Sequence, residues 1–547
     1  MHASKGEGKK DSMAEPKSLT LHAGVRMRRE SFGGIIFDTT SGTMIEVDRE
    51  AYQMLCNLRD ADPSASVIQT LRELGFLEEG SPPLPDFPGD LSADWPTDIS
   101  LSAPETVHWA ITYRCNADCV DCYAKRNKGG CMELGTAQAA RLIKLLADWG
   151  VFQLAIGGGE PLLRGDLAEI AGLAKEQGLV THVTTGDHSA ALEALPSLAQ
   201  SVASLHLGLK FQQLLAEPSK ELKNLREFVT AVHNAGLATG VNLPLCNMVI
   251  KHFDELIFYL AQAGFKRIIL LCYKPPFSEA RWRAENPTGA ILKEFETQLA
   301  ATIRNHSDIA FRVDCALSFM QRSLTPQQAA EHGIRGCVAA SRIISLGPDA
   351  TVYPCSQLTH PDMAAGNLLI DSPEEVWRNA TRIKKYRSFR QKKAFKHSYC
   401  GICRAKDQCG GCRVFSDDAL GGDPGCPEPM LPGLTELGPI GRRLDLENYL
   451  TGNSCIFVED YMLRYGVGQA KAIKELRAEG LLTADGDNGR KKGSLYFARN
   501  TISEIIEMIG STPGGVPFVS REEVAAWLEE EDSHNYPAWI KRKRWRD

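Results

Sequence analysis

Three cysteines in the segment RCNADCVDCYA, Cys115, Cys119 and Cys122, are spaced so that one loop presents three thiolates to a single inorganic centre. Thiolates in that number suit either iron–sulfur chemistry or zinc. Three ligands on a [4Fe–4S] cluster leave one iron open to chelate a substrate or cofactor. A structural zinc site would instead be closed by a fourth ligand, with Cys131 or His108 within reach in sequence. Spacing alone leaves both readings open. Downstream, Gly157, Gly158 and Gly159 run into Glu160 and Pro161. Glycines at a strand end let a ligand approach the backbone, and Glu160 would bring a carboxylate suited to an amino group.

A second knot holds Cys400, Cys403, Cys409, Cys412 and Cys426, preceded by Cys337 and Cys355. Seven cysteines exceed one tetrahedral site, so either two zinc centres using eight ligands, with Cys315 as the eighth, or auxiliary iron–sulfur clusters would account for them. Of the 16 cysteines, Cys56, Cys246, Cys272 and Cys455 stand alone and read as small core residues. Disulfides are not expected, because clustering of this kind favours metal ligation and the chain reads as cytoplasmic. Its N-terminus is polar and lacks an apolar h-region, and no apolar run reaches the ~18 residues of a membrane span. A net charge of -6 offers no general attraction to polyanions.

The elements that must position these residues follow from periodicity. Between about 106 and 310, strand-like runs (VHWAITYRC, QLAIGGGE, VTHVTTG, SLHLGLKF, ATGVNLPL, RIILLCYK) alternate with helical stretches such as TAQAARLIKLLADWG. Repeated β/α units predict a parallel sheet with functional residues at the strand C-termini. The first cysteine loop follows the first strand and GGGE ends the second, which places both at one rim. Residues 19–88 predict strands followed by two helices, and 89–105 a proline-rich linker. Residues 311–435 lose the alternation, while 436–547 contain two helices around a glycine turn and then SLYFARN, the order of a winged helix-turn-helix. Residues 1–18 read as a disordered leader.

The CxxxCxxC loop followed by GGEP resembles the radical S-adenosylmethionine (SAM) superfamily over about 200 residues. The resemblance implies an α/β fold with a partial (β/α)6 barrel and an oxidoreductase-type enzyme that cleaves SAM reductively to a 5′-deoxyadenosyl radical. By that similarity Cys115, Cys119 and Cys122 ligate a [4Fe–4S] cluster, Tyr123 lies beside the adenine, and Gly158, Gly159 and Glu160 engage the methionyl amino group. Many relatives carry Ser-x-Asp on the fourth strand where this chain has Gly208 and Lys210. The second knot resembles the SPASM extension: Cys400, Cys403, Cys409 and Cys426 would hold one auxiliary cluster, and Cys337, Cys355 and Cys412 the other, with Cys315 as a further candidate. The Cys409–Cys412 spacing is one residue shorter than is commonest there. Residues 19–88 resemble the PqqD-like module that presents precursor peptides to maturases.

Together these resemblances imply a maturase of a ribosomally synthesised peptide, supplied with electrons by a flavodoxin or ferredoxin. Modified tetrapyrrole (heme-type) biosynthesis is the alternative within the enzyme class, suggested by CGGCR…DPGC. An iron–sulfur or zinc regulator binding DNA through the C-terminal winged helix is the alternative from another class. No individual catalytic residue is assigned from sequence.

Overall fold

The computed structural model describes residues 19–58, 65–79, 100–117, 119, 122, 132–273, 284–287, 289–321, 325–331, 334–387, 400, 403, 405, 409–414, 423, 426, 437–452, 455–479, 481–483 and 495–497. Its first unit begins with β1 (Leu19–Leu21), β2 (Val25–Glu30), β3 (Gly33–Asp38) and β4 (Met44–Asp48). It continues with α1 (Arg49–Cys56), α2 (Ser66–Glu73) and β5 (Leu77–Glu79). Strands β2, β3 and β4 form an antiparallel meander, and β1 pairs with β5. Asp48 stops the meander and starts α1, because its carboxylate accepts a hydrogen bond from the Ala51 amide at 2.8 Å. The apolar stripe of the two helices (Leu55, Ile68, Leu71) packs on Ile36 and Phe76 as a small separate core.

The parallel sheet runs through β6 (Thr106–Thr112), β7 (Gln153–Gly158), β8 (Val180–Thr185), β9 (Ser204–Gly208), β10 (Ala238–Leu245) and β11 (Arg267–Cys272). Helices α3 (Thr136–Trp149), α4 (Leu167–Glu176), α5 (His188–Leu198), α6 (Phe211–Ala216), α7 (Pro218–Asn234), α8 (Asn247–Lys251) and α9 (Phe253–Ala263) make the crossovers. Alternate strand residues, among them Val107, Trp109, Leu154, Ile156, Val183, Leu205, Val241 and Ile268, are fully buried beneath these helices. Their neighbours Ala155, His182, Thr184, His206 and Asn242 line the other, concave face, as the period of two requires.

The sheet does not stop where the sequence alternation fades. Strand β12 (Ala310–Val313) pairs parallel with β11, and β13 (Ile343–Leu346) pairs parallel with β6 on the opposite edge. Antiparallel β14 (Thr351–Tyr353) and β15 (Gly366–Asn367) complete a ten-stranded order. These strands have two to four residues each, too few to show a period, and long-range pairing rather than local pattern forms them. The cysteine-rich region is therefore built directly onto the first barrel strand. It is fastened by Trp377, whose indole N–H donates to the Leu101 carbonyl at 2.6 Å.

The first unit docks on the barrel through β2. Arg26 donates to the carbonyls of Ala147, Val151 and Gly178, and Arg28 to those of Pro104 and Gly150. Two of these carbonyls lie at the C-terminal end of α3, where a guanidinium meets both unsatisfied acceptors and the negative end of the helix dipole. Arg28 also pairs with the buried Glu30 at 2.7 Å and stacks over Phe152, while Phe37 meets Phe152 at 5.3 Å between ring centroids.

The C-terminal unit comprises helices Pro439–Gly452, Val458–Tyr465 and Gln469–Ala478 with β16 (Cys455–Phe457), β17 (Leu482–Thr483) and β18 (Leu495–Phe497). The three strands form an antiparallel sheet in the order β16-β18-β17.

Candidate functional site

Both sequence motifs sit at the C-terminal rim, and the backbone joins them. Between Ala110 and Thr112 the β6–β7 register slips by one residue, so Ile111 is the extra residue of a β-bulge. Beyond the slip, the Gly159 amide donates to the Thr112 carbonyl and the Glu160 amide to the Arg114 carbonyl, both at 2.8 Å. The ladder thus runs into the residue that precedes Cys115. A Cβ at Gly159 would lie 2.0 Å from the Arg114 carbonyl oxygen, and one at Gly158, where φ is +115°, would lie 2.4 Å from that of Thr112. At Gly158 the approaching group is the end of β6 and at Gly159 the chain leading into Cys115, where the sequence expectation is a ligand. Among the described residues nothing lies within reach of a methyl group at Gly157.

Glu160 is buried, at 3 % exposure. Its carboxylate accepts from the Thr185 hydroxyl at 2.9 Å, the Leu162 amide at 3.1 Å and the Gly186 amide at 3.0 Å. Burial pushes the carboxyl above its ordinary range against these hydrogen bonds, and the neighbouring Asp187 adds to the push. Of roughly four acceptor positions on a carboxylate, three are filled, leaving one on Oε2. The side chain therefore ties the end of β7 to the end of β8 and keeps one acceptor in reserve.

Cys115 and Cys122 are half-buried and Cys119 is exposed, with the Cys122 amide donating to the Cys119 carbonyl at 3.3 Å. Tyr123 lies outside the described residues. At the base of the loop, Glu133 accepts from the Arg114 guanidinium through both oxygens at 3.0 Å and from the Thr112 hydroxyl. Arg164 reaches the Ile111 and Leu134 carbonyls and pairs with Asp166, which also accepts from Thr136. Sequence reasoning misses all of these residues. Arg114, four residues after Ala110, and Glu133 carry no local signature, and Arg164 is visible only as the fourth residue after Glu160.

Farther round the rim, Asn116 donates to Asp187 at 3.4 Å, and Lys210 is close enough to help lower the Asp187 carboxyl, whose main stabiliser is the Ala190 amide. On the fourth strand, a methyl group added at Gly208 would meet, among the described residues, only the Thr185 carbonyl, 3.6 Å away. Deeper on the concave face, His182 contacts Ser204 at 2.7 Å, and burial holds His206 down to about 4, with Arg267 and His182 acting in the same direction. The neighbouring Asn242 Oδ1 is buried and has no hydrogen-bond partner among the described residues. Cys272, read from sequence as core, ends β11 at this same rim, and its amide donates to Asp314 at 3.3 Å.

The second knot is drawn together from distant segments. Cys337, Cys355 and Cys400 share one apolar cluster, and the Cys337 amide meets the Cys409 carbonyl at 3.4 Å. Burial pushes the Cys409 thiol up to about 12, and Asp423, Cys426 and Cys400 are near enough to push in the same direction. Such a thiol ionises only beside positive charge, which bound iron provides. The Cys409-Gly-Gly-Cys412 turn uses two left-handed glycines, Gly410 and Gly411, both at φ +71°. The Cys412 amide then donates to Asp423 at 2.7 Å. Cys400 packs beside Cys337 and Cys355 and lies near enough to Cys409 to influence it electrostatically. Cys403 is half-buried. Among the described residues no three His, Cys, Asp or Glu side chains form a single-ion site.

Residues 109–243 match the Radical SAM superfamily, and residues 337–410 match SPASM, an iron-sulfur cluster-binding domain. With the parallel sheet and the rim just described, these matches give the chain a radical SAM domain and mark it as an enzyme. More particularly, a SPASM domain follows the radical SAM domain, and the cofactors that the two imply are SAM and [4Fe–4S] clusters. Mycofactocin maturase MftC of Mycobacterium tuberculosis is 27% identical over 342 residues, covering 60% of this chain and 83% of that protein. The PqqA peptide cyclase of Ruegeria pomeroyi is 26% identical over 348 residues, covering 61% and 88%. Among solved structures, Streptococcus suis SuiB bound to its precursor peptide SuiA shares the fold, with a TM-score of 0.54 and 19% identity, covering 74% of this chain and 98% of that one. No described helix is long and apolar enough to cross a membrane.

Proposed function

We propose that this enzyme is a maturase that modifies a ribosomally synthesised precursor peptide. The observation that carries the proposal is the N-terminal unit, fixed to the barrel by five guanidinium-to-carbonyl hydrogen bonds from Arg26 and Arg28. A peptide held there would be presented at a constant distance from the rim. The meander ends in β4, an edge strand, and an extended leader can add to such an edge through main-chain hydrogen bonds. Similarity to the PqqA peptide cyclase supports the same substrate class. Heme-type tetrapyrrole chemistry would leave this docked unit without a role. In the C-terminal unit, Arg442 and Arg464 are engaged by Glu475 and Asp445, which counts against their serving a nucleic-acid face.

In this proposal Cys115, Cys119 and Cys122 hold the SAM-binding cluster, and Tyr123 flanks the adenine. A cluster held there, and reduced by a flavodoxin- or ferredoxin-type donor, would supply the electron for reductive cleavage of SAM. The chain's own residues position the reactants: Gly158 and Gly159 bring the rim backbone against the loop, and the remaining Glu160 acceptor receives the methionyl ammonium. Cys400, Cys403, Cys409 and Cys426, and separately Cys337, Cys355 and Cys412, hold the auxiliary clusters. Co-expression with a short open reading frame adjoining the gene, followed by mass spectrometry, tests the peptide assignment. A mass change in that peptide, with slowed amide exchange at 44–48 on binding, is expected. An unmodified peptide that leaves β4 exchange unaltered would exclude it as the substrate and count against recognition by this strand.

A further inference from the structure

The chain from Ile111 to Leu134 leaves the sheet, carries the three cysteines and returns to α3. One buried side chain holds both of its ends. Arg164 is 6 % exposed; it donates through Nη1 to the Ile111 carbonyl at 3.3 Å and through Nη2 to the Leu134 carbonyl at 2.7 Å. The Ile111 carbonyl belongs to the bulged residue, where the regular ladder is interrupted. The guanidinium plane is fixed by Asp166, which takes Nε and Nη2 at 2.8 Å each, and Asp166 is held by the Thr136 hydroxyl at 2.7 Å, at the start of α3.

A second closure of the same neck, Arg114 with Glu133, is largely solvent-exposed, the Arg114 side chain being 59% accessible. Exposed pairs contribute little, whereas a buried guanidinium with carboxylate and carbonyl acceptors is strong and directional. Arg164 therefore dominates. It also follows Glu160 in the same short turn, so one turn fixes the rim carboxylate and the loop neck together.

We propose that Arg164, braced by Asp166, is a positioning residue that clamps the neck of the cysteine loop and so sets Cys115, Cys119 and Cys122 for cluster retention. The proposal rests on the reading of those cysteines as ligands. The test uses the full chain, reconstituted anaerobically, with four variants: Arg164→Met, Arg164→Lys, Asp166→Asn, and a triple alanine replacement of the cysteines. Iron release to a chelator and the electron paramagnetic resonance spectrum of the reduced protein, with and without SAM, are compared with the wild type. The triple variant defines the iron and spectrum that belong to this site.

The clamp predicts that Arg164→Met releases that iron about 10–100-fold faster, the range seen when outer-shell support of a metal site is removed, with auxiliary iron unchanged. The SAM-induced spectral change should weaken in parallel. Arg164→Lys keeps the charge without the planar fork and should fall between Met and wild type. Asp166→Asn should shift release in the same direction, and serves where Arg164→Met does not fold. If the triple variant loses no iron, the ligand reading fails and the clamp with it. If the triple variant loses a cluster while folded Arg164→Lys and Asp166→Asn release iron at the wild-type rate, the clamp alone is overturned.

Discussion

At Gly158 and Gly159 the absence of a side chain is what lets two rim segments touch. Gly159→Ala places a methyl 2.0 Å from the Arg114 carbonyl oxygen, and Gly158→Ala adds left-handed strain to a 2.4 Å clash. Each substitution should lower stability by more than about 1 kcal/mol, with loss of iron from the loop site, whereas Gly157→Ala, which meets nothing among the described residues, should leave the unfolding midpoint in place. Thermal unfolding and iron analysis of the three variants check this ordering. Glu160→Gln poses a different problem. An amide nitrogen at Oε1 faces the Leu162 N–H, and at Oε2 it faces the Gly186 N–H, so either orientation leaves one backbone donor unmet. The expected cost is about 1–3 kcal/mol, read from denaturant unfolding. A wild-type midpoint would show that the carboxylate does not tie β7 to β8. Sequence showed that these residues matter but not what meets them, because the approaching groups belong to a different strand end.

Strands β8 and β9 bring His182 and His206 onto one face, with Arg267 on β11 as a shared cationic neighbour. Burial is the main reason His206 is held down to about 4 from an ordinary 6.5. The sign follows directly. Folding favours the neutral imidazole, so the stabilisation is complete above about pH 6.5 and is lost as pH falls towards 4. Between pH 7 and pH 5 this one group should remove about 2 kcal/mol of stability, and His206→Gln should flatten that part of the profile. Urea midpoints across the range check it; parallel profiles for the two proteins would refute it. The parallel strands were legible because alternating helix and strand periods are local properties. The bulge at Ile111 and the pairing of β13 with β6 were not, since both are decided by contacts between segments far apart in sequence. The same holds for Cys400, whose packing beside the distant Cys337 is not set by its CxxC spacing.

Across the molecule, the N-terminal unit, the barrel and the cysteine-rich extension share one core, in which Ile35 and Phe37 pack with barrel residues and Trp377 packs against Trp149. The Arg28–Glu30 pair sits inside this junction, with Glu30 also accepting from the Ser102 amide and hydroxyl. Arg28→Met leaves Glu30 buried without its cation and should cost about 3–5 kcal/mol, while adding Glu30→Leu should recover part of the loss. A urea midpoint for the single variant equal to wild type would show that the unit is held by apolar contact alone. All of this serves one central claim, that the rim built around Cys115, Cys119 and Cys122 cleaves SAM. The direct measurement is 5′-deoxyadenosine formation by the anaerobically reconstituted full chain given SAM and dithionite. The account predicts its release by the wild type and its loss when the three cysteines are replaced by alanine. No 5′-deoxyadenosine from iron-loaded wild-type protein, or equal release from the cysteine variant, would contradict it.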